Sequence, residues 1–206
     1  MAEAFTPPTT SNESDPEGDT KKWYGKAEAY WKREPATVNG MLGGFGRISS
    51  VDVKGSKKFL EPLIRGSSAV VEPSIALGIL VVGLLLVFPT RLVQTVDPDF
   101  EPEMARYSVI WCQWVLLYLT DGLISDDLVA FLQRCKAALT KNGIIVIKEN
   151  VSSSSEKMYD DNDSSVCRPS EVFLSIFKES GLRIIKEDMQ MDFPEGLYPV
   201  KMWALN

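Results

Sequence analysis

The chain has 206 residues, a formal net charge of −6, 45% apolar residues and no histidine. This length suits one domain with a substantial core. The lack of histidine excludes a histidine metal site, a Ser-His-Asp triad and histidine general-base catalysis, and we expect no metal. The acidic balance disfavours nucleic acid and suits a cationic partner. Three widely spaced cysteines are typical of a reduced intracellular protein without a disulfide framework.

The first third of the chain begins with a polar stretch and continues with helical patterns. Residues 1–20 are rich in Pro, Thr, Ser, Asp and Glu, which predicts a disordered tail without a signal peptide. Residues 21–33 carry aromatic side chains at helical spacing and are predicted to be a helix. Residues 40–46 contain four glycines and are predicted to be a loop that approaches another group closely. Residues 56–64 are predicted to form a short helix, and the domain is expected to span residues 21–206.

The second half alternates between apolar strands and helices. Strands are predicted at residues 107–113, 143–148, 182–185 and 198–204. A helix capped by Ser125 is predicted to follow the first strand, and residues 170–180 are predicted to form a helix stopped by Gly181. Strands that are almost continuously apolar and alternate with helices favour a mainly parallel α/β sheet. The last strand follows no crossover helix, so we expect it to run antiparallel at one side of the sheet.

The segment of residues 66–100 does not follow this alternation. Residues 69–74 are typical of a strand that ends near an acid, Glu72. Residues 75–88 are apolar except for two glycines. This run is too short for an ordinary transmembrane helix, and its pattern identifies neither a helix nor a strand.

Several motifs occur in a fixed order. They are Tyr30-Trp31, TVNGMLGGFG at 37–46, VIWCQW at 109–114, VIKEN at 146–150 and YDDNDSS at 159–165. Together they resemble the S-adenosylmethionine-dependent methyltransferases that modify the α-amine of protein N-termini. The resemblance implies an α/β fold of class I (Rossmann-like), with an N-terminal helical extension on the methyltransferase sheet. It also implies S-adenosylmethionine as the cofactor and, as partners, proteins whose N-termini begin Xaa-Pro-Lys or Xaa-Pro-Arg.

The resemblance also implies roles for individual residues. For the cofactor it implies contacts from Met41, Gly43, Glu72 and Gln113. For the peptide it implies contacts from Trp31, Leu42, Trp114, Asn150, Asp160, Ser165 and Tyr198. Asp163 matches the proposed base near the α-amine, and Tyr118 stands where many family members have an active-site histidine. A phenol is a poorer base at neutral pH, which shifts proton transfer to Asp163.

The chemistry of methyl transfer to an amine accounts for these residue types. An ammonium must lose a proton before it becomes a nucleophile, and a nearby carboxylate accepts that proton. A proline ring stacks on the Trp114 indole, and the pair Asp160 and Asp163 supplies the counter-charge of a basic third residue. Taken singly, each motif has a simpler interpretation: aromatic residues in the core, a solvated acidic turn, or an ordinary glycine loop. Their joint order favours the site.

The chain departs from the family in its first strand–helix unit. Where the family has a strand, a glycine-rich cofactor loop and a helix, this chain has only residues 66–69. A unit of that kind needs about 20 or more residues, so the first βα unit is predicted to be missing or replaced. We therefore expect weak binding of S-adenosylmethionine, or none, and an exposed edge in the sheet. Residues 75–88 are expected either to fill the gap as a substitute strand or to be exposed.

Other hypotheses remain open at this level. One is a peptide-binding pseudoenzyme without catalysis, and another is a splice form, a shifted reading frame or a mispredicted gene model across residues 65–70. A third is membrane attachment through residues 75–88, which their length disfavours. We expect a monomer located in the cytoplasm, with the nucleus as a further location.

Overall fold

The computed structural model describes most of the chain beyond its N-terminal tail. The described residues are 19–35, 37–66, 79–83, 92–93, 99–121 and 126–206. The helices are α1 Thr20–Trp31, α2 Val38–Met41, α3 Ser49–Gly66, α4 Asp127–Ala138 and α5 Ser170–Glu179. The strands are β1 Ile79–Gly83, β2 Leu92–Val93, β3 Tyr107–Gln113, β4 Leu139–Ser152, β5 Met158–Asp160, β6 Ser165–Pro169, β7 Ile184–Met189 and β8 Val200–Leu205.

The N-terminal extension consists of three helices and a glycine turn. The Asp19 side chain caps α1 by accepting a hydrogen bond from Lys22 N, so the predicted tail is two residues too long. The predicted glycine loop begins within α2, and a Cβ added to Gly40 would lie 2.3 Å from the Pro35 carbonyl oxygen. Gly43 has a φ of 55°, which glycine adopts without strain. The loop approaches its own preceding backbone closely, and α3 is longer than the predicted helix.

The central sheet has the strand order β2-β1-β3-β4, and all of these neighbours run parallel. The register of β1 on β3 runs from Ile79 opposite Val109 to Gly83 opposite Gln113. The middle of the apolar run, residues 79–83, is therefore a substitute strand beside β3. The expectation that β3 would be left with an unpaired edge is wrong, because β1 supplies its backbone partners.

The other half of the sheet runs antiparallel. β8 lies between β4 and β7 and is antiparallel to both. The predicted direction of the last strand is confirmed, but β7 rather than β8 occupies the edge. Beyond Asn150, β4 changes partner and pairs with β6 through Val151 and Ser152. β6 forms a hairpin with β5, which sequence patterns did not indicate because both strands are short and partly polar.

Two apolar clusters cover the faces of the sheet. One contains Phe59 and Leu60 of α3 against Val109 and Trp111 of β3. The other lies beneath α4 and α5, where Trp203 packs against Phe173 and Phe177. The centroids of the Trp203 and Phe173 rings are 5.1 Å apart. Burial of each such side chain contributes about 1.5–3 kcal/mol to the free energy of folding.

Some predicted features differ from the structure or lie outside its described part. Asp126 caps α4 through Val129 N, whereas Ser125, the predicted cap, lies outside the described residues. The predicted strand at residues 69–74, with Glu72, also lies outside them. Within the described ranges, no helix is both long and apolar enough to span a membrane.

Candidate peptide and cofactor site

The first part of the site forms where β3 and β4 end. Trp114 follows β3 directly with a φ of 50°, and its backbone N–H donates to Lys148 O at 3.1 Å. The Trp114 indole Nε1 donates to Asn150 Oδ1 at 3.2 Å. The structure thus brings together two residues that lie 36 positions apart in the sequence. Because Asn150 accepts from the indole through its oxygen, its NH2 group is the end available to a peptide carbonyl.

The second part joins an aromatic pair to an acid. The Tyr118 hydroxyl donates to Asp163 Oδ2 at 3.1 Å. The Trp31 ring meets the Tyr118 ring edge-on, with centroids 5.9 Å apart. Asp163 Oδ1 is buried and has no hydrogen-bond partner among the residues described. A buried carboxylate oxygen without a donor is costly, so this oxygen is suited to an incoming ammonium group.

The protonation of these two groups is set mainly by burial. Burial raises the pKa of Asp163, while the nearby hydroxyls of Ser165 and Tyr118 act in the opposite direction. A carboxylate with a raised pKa is a better proton acceptor near neutral pH. Burial, followed by the charge of Asp163, raises the pKa of Tyr118 well above its ordinary value. Tyr118 is therefore a neutral donor, and Asp163 is the group of this pair suited to act as a base.

The acidic hairpin forms the third part. Asp160 pairs across the hairpin with Ser165, and Asp163 lies in the turn between them. Asp160 Oδ1 accepts from Asn162 N at 2.8 Å, so it stabilises this turn as well as contributing charge. Burial raises the pKa of Tyr198, and the charges of Cys167 and then Asp160, both residues of the hairpin strands, raise it further.

Gln113, one of the predicted cofactor residues, is the last residue of β3. Gln113 is fully buried, and its Nε2 donates to Asp52 Oδ1 and Oδ2 at 3.2 and 3.1 Å. Its Oε1 accepts from Trp111 Nε1 at 3.0 Å. Lys148 pairs with Asp52 and also donates to Ser56 Oγ at 2.9 Å. Gln113 is thus held in a buried network with α3.

The other cofactor residues are placed only in part. Gly43 lies in the exposed turn before α3, next to the buried Leu42 that was predicted to contact the peptide, and Met41 is described by its backbone alone. Glu72 lies outside the described residues. Gly83 brings the end of β1 to Gln113, at the carboxyl edge where ligands bind in open α/β sheets. Of the predicted cofactor residues, Gln113 is the one whose side-chain contacts lie within the described part of the chain, and its amide is bonded to Asp52 and Trp111.

Several residues of the site were missed by sequence reasoning. Glu149 is fully buried, and its Oε1 accepts from Val115 N and Leu116 N, each at 2.8 Å. Arg168 is fully buried and bonded to Asp121. A charged residue inside an apolar strand indicates a buried polar contact, and both residues gave this signal. The sequence did not identify their partners, because these lie far away along the chain.

Comparisons with known proteins agree with this arrangement. A family model described as AdoMet dependent proline di-methyltransferase matches residues 19–80 and 90–206. N-terminal Xaa-Pro-Lys N-methyltransferase 1-B of Xenopus laevis is 38% identical over 220 residues, covering 91% of this chain and 96% of that protein. N-terminal Xaa-Pro-Lys N-methyltransferase 1 of Homo sapiens is 38% identical over 221 residues, with the same coverage. A SAM-dependent methyltransferase structure from Leishmania major has a TM-score of 0.73 and 31% identity, covering 93% of this chain and 85% of that one.

The alignment with the Xenopus relative also shows how many positions have no counterpart in this chain. The alignment with the Xenopus protein extends over 220 positions but covers 91% of the 206 residues, about 187, so about 33 positions have no residue in this chain. The family match also omits residues 81–89. The deficit is large enough for the βα unit that the sequence is predicted to lack.

Proposed function

Because the chain belongs to the family of AdoMet-dependent proline di-methyltransferases, we propose that it methylates the α-amine of protein N-termini beginning Xaa-Pro-Lys or Xaa-Pro-Arg. S-adenosylmethionine, when bound, supplies an electrophilic methyl group on a sulfonium. The observation that carries the proposal is the Asp163 carboxylate, which has one oxygen bonded to Tyr118 and the other buried without a partner among the described residues.

The peptide side of the site supports a specific order of contacts. The Asn150 NH2 group is the donor for the first carbonyl of the substrate, and the Trp114 indole bonded to it offers a face to the proline. Asp163 Oδ1 accepts a proton from the α-ammonium, and the freed nitrogen lone pair becomes the nucleophile. Trp31 packs on Tyr118 and limits the space around that nitrogen.

The acidic hairpin supports a basic third residue. Asp160 lies at the end of β5 and Asp163 in the following turn. Burial raises the pKa of Tyr30, and the charges of Glu34, Asp163 and Asp160 raise it further, so the acidic surface extends to the end of α1. A lysine or arginine side chain gains charge-assisted hydrogen bonds at such a surface.

The proposal includes the state and location of the protein. All three cysteines are free, which supports a reducing compartment, and we propose the cytoplasm, with the nucleus as a further location. We also propose that the chain acts as a monomer. Light scattering of the purified chain and imaging of a tagged chain test these two points.

The test of function is methylation followed by mass spectrometry. We expect the chain to add mass increments of one or more methyl groups to an Ala-Pro-Lys peptide, slowly because the cofactor half is shortened. The same peptide acetylated at its N-terminus is the control and should gain none. Peptide binding without any methyl transfer, even at high cofactor concentration, would instead support the pseudoenzyme, which the family match does not favour.

A further inference from the structure

The turn that carries Tyr118 is held by side chains from three other elements. Glu149 of β4 accepts from the backbone N–H groups at the start of the turn. Arg168 of β6 donates to the Leu116 and Leu119 carbonyl oxygens. Trp23 of α1 donates from its Nε1 to Tyr118 O at 2.9 Å. These bonds give partners to the backbone groups of the turn, a single 3-10 helical turn at Leu116–Tyr118, as buried polar groups require.

Arg168 makes the largest number of these contacts. Its Nε and Nη2 bind the two oxygens of Asp121, both at 3.0 Å, and its Nη1 donates to Leu116 O at 3.0 Å. A further contact joins Nη1 to Val166 O at 3.4 Å. Burial is the largest single influence on the pKa of Asp121 and raises it, but the charges and hydrogen bonds of Arg168 and Lys157 together outweigh burial and lower the pKa. The guanidinium thus has an acceptor for each of its five N–H groups, which a fully buried cation needs.

The position of Arg168 in the chain gives these contacts a consequence for the site. Arg168 lies on β6, the strand that follows the Asp163 turn, and it binds the turn that carries Tyr118. One side chain therefore connects the two backbone segments whose side chains meet in the Tyr118–Asp163 hydrogen bond.

We propose that Arg168 is a positioning residue for peptide recognition, which sets the Tyr118 turn against the acidic hairpin and so holds the Tyr118 hydroxyl on Asp163. The consequence for substrate rests on the proposed function. The role of Arg168 in holding the Tyr118 turn against the acidic hairpin does not rest on the proposed function, because it concerns only two segments of this chain. Lysine cannot replace the forked contacts, since an ammonium cannot bind Asp121 through two parallel N–H groups and also reach both carbonyl oxygens.

The experiment compares Arg168→Lys with the unchanged chain in two measurements. The first is the ratio of dissociation constants for acetylated and free Ala-Pro-Lys peptides, and we expect the substitution to lower this ratio at least fivefold. The second is the NMR shift of the Tyr118 ring carbon bonded to oxygen, assigned by its loss in Tyr118→Phe. We expect that shift to change without peptide, because the hydrogen bond to Asp163 is weakened.

Ser180→Ala is the control for a loss of stability alone. The buried Ser180 hydroxyl donates to Ile176 O at 2.7 Å at the end of α5, away from both segments. Ser180→Ala should lower the melting temperature without changing the ratio of dissociation constants or the Tyr118 NMR shift. If Arg168→Lys does not fold at the assay temperature, Asp121→Asn replaces it, since it weakens the same contact.

The outcomes separate the two claims. A folded variant with both the ratio and the Tyr118 shift unchanged overturns the positioning role. If the unchanged chain does not distinguish the two peptides, the proposed function fails. The Tyr118 shift alone then decides whether Arg168 holds the hydroxyl on Asp163.

Discussion

The Tyr118 hydroxyl donates to Asp163 Oδ2 and leaves Oδ1 buried without a partner among the described residues. A free peptide amine brings an ammonium to that oxygen, whereas an acetylated one brings a neutral amide. We therefore expect free Ala-Pro-Lys or Ser-Pro-Lys peptides to bind at least tenfold more tightly than their acetylated forms, as measured by calorimetry. Equal affinities would mean that Asp163 does not meet the amine.

The same pair predicts a pH dependence. The raised pKa of Asp163 means that the carboxylate becomes protonated, and loses its attraction for an ammonium, as pH falls through that raised value. Tyr118→Phe removes a hydrogen bond that lowers this pKa, so the loss of affinity should begin at a higher pH in the variant. Titration of peptide affinity between pH 4 and 7 measures both curves. Coincident curves would show that Tyr118 does not act on Asp163.

The acidic hairpin predicts selectivity at the third residue of the substrate. Replacing Asp160 and Asp163 together by Asn should abolish the preference for Lys over Gln at that position. The expected loss is about 1–3 kcal/mol, the usual range for hydrogen bonds to charged groups. Competition binding with the two peptides measures it. If the double variant keeps the preference, the hairpin is an ordinary solvated turn.

Glu149 predicts how the stability of the fold depends on pH. Burial is the largest cause that raises its pKa to about 8, so the folded chain holds this proton more tightly than the unfolded chain does. Stability from this group is full below the unfolded pKa and declines as pH rises towards about 8. Urea unfolding from pH 5 to 9 should show this decline, and Glu149→Gln should remove it.

A substitution at an exposed glutamate is the control for Glu149. Glu171 lies in the first turn of α5 with its side chain exposed. Glu171→Gln should leave the decline with pH in place. A Glu149→Gln chain that declines as steeply as the unchanged chain would show that another group is responsible.

The shortened cofactor half predicts weak binding of S-adenosylmethionine. About 33 alignment positions have no residue in this chain, and the glycine-rich loop is predicted to be among them, although β1 supplies a strand beside β3. We expect a dissociation constant at least tenfold weaker than that of the Xenopus relative measured in parallel. A chimera carrying the relative's βα unit between residues 66 and 70 should regain affinity. Rapid turnover of Ala-Pro-Lys by the 206-residue chain would contradict this prediction.

The sequence by itself determined the family and most elements of the fold, and it supplied the candidates for the peptide site. β3 has the predicted bounds, and α5 ends one residue before the predicted position. Local pattern is sufficient for these elements because apolar periodicity and a glycine stop signal act within a few residues. The motif residues Trp114 and Asn150 could also be identified in advance, since their order along the chain carried the resemblance.

Only the tertiary structure decided how the missing unit is replaced and which groups hold the site. The apolar run had no period, so its role as β1 depended on the unpaired edge of β3, which is distant in sequence. The bonding of Gln113 to Asp52 and of Arg168 to the Tyr118 turn likewise joins residues 61 and 52 positions apart. Buried polar groups must find partners, but a sequence does not show which distant donors and acceptors the packed chain brings within hydrogen-bond distance of one another.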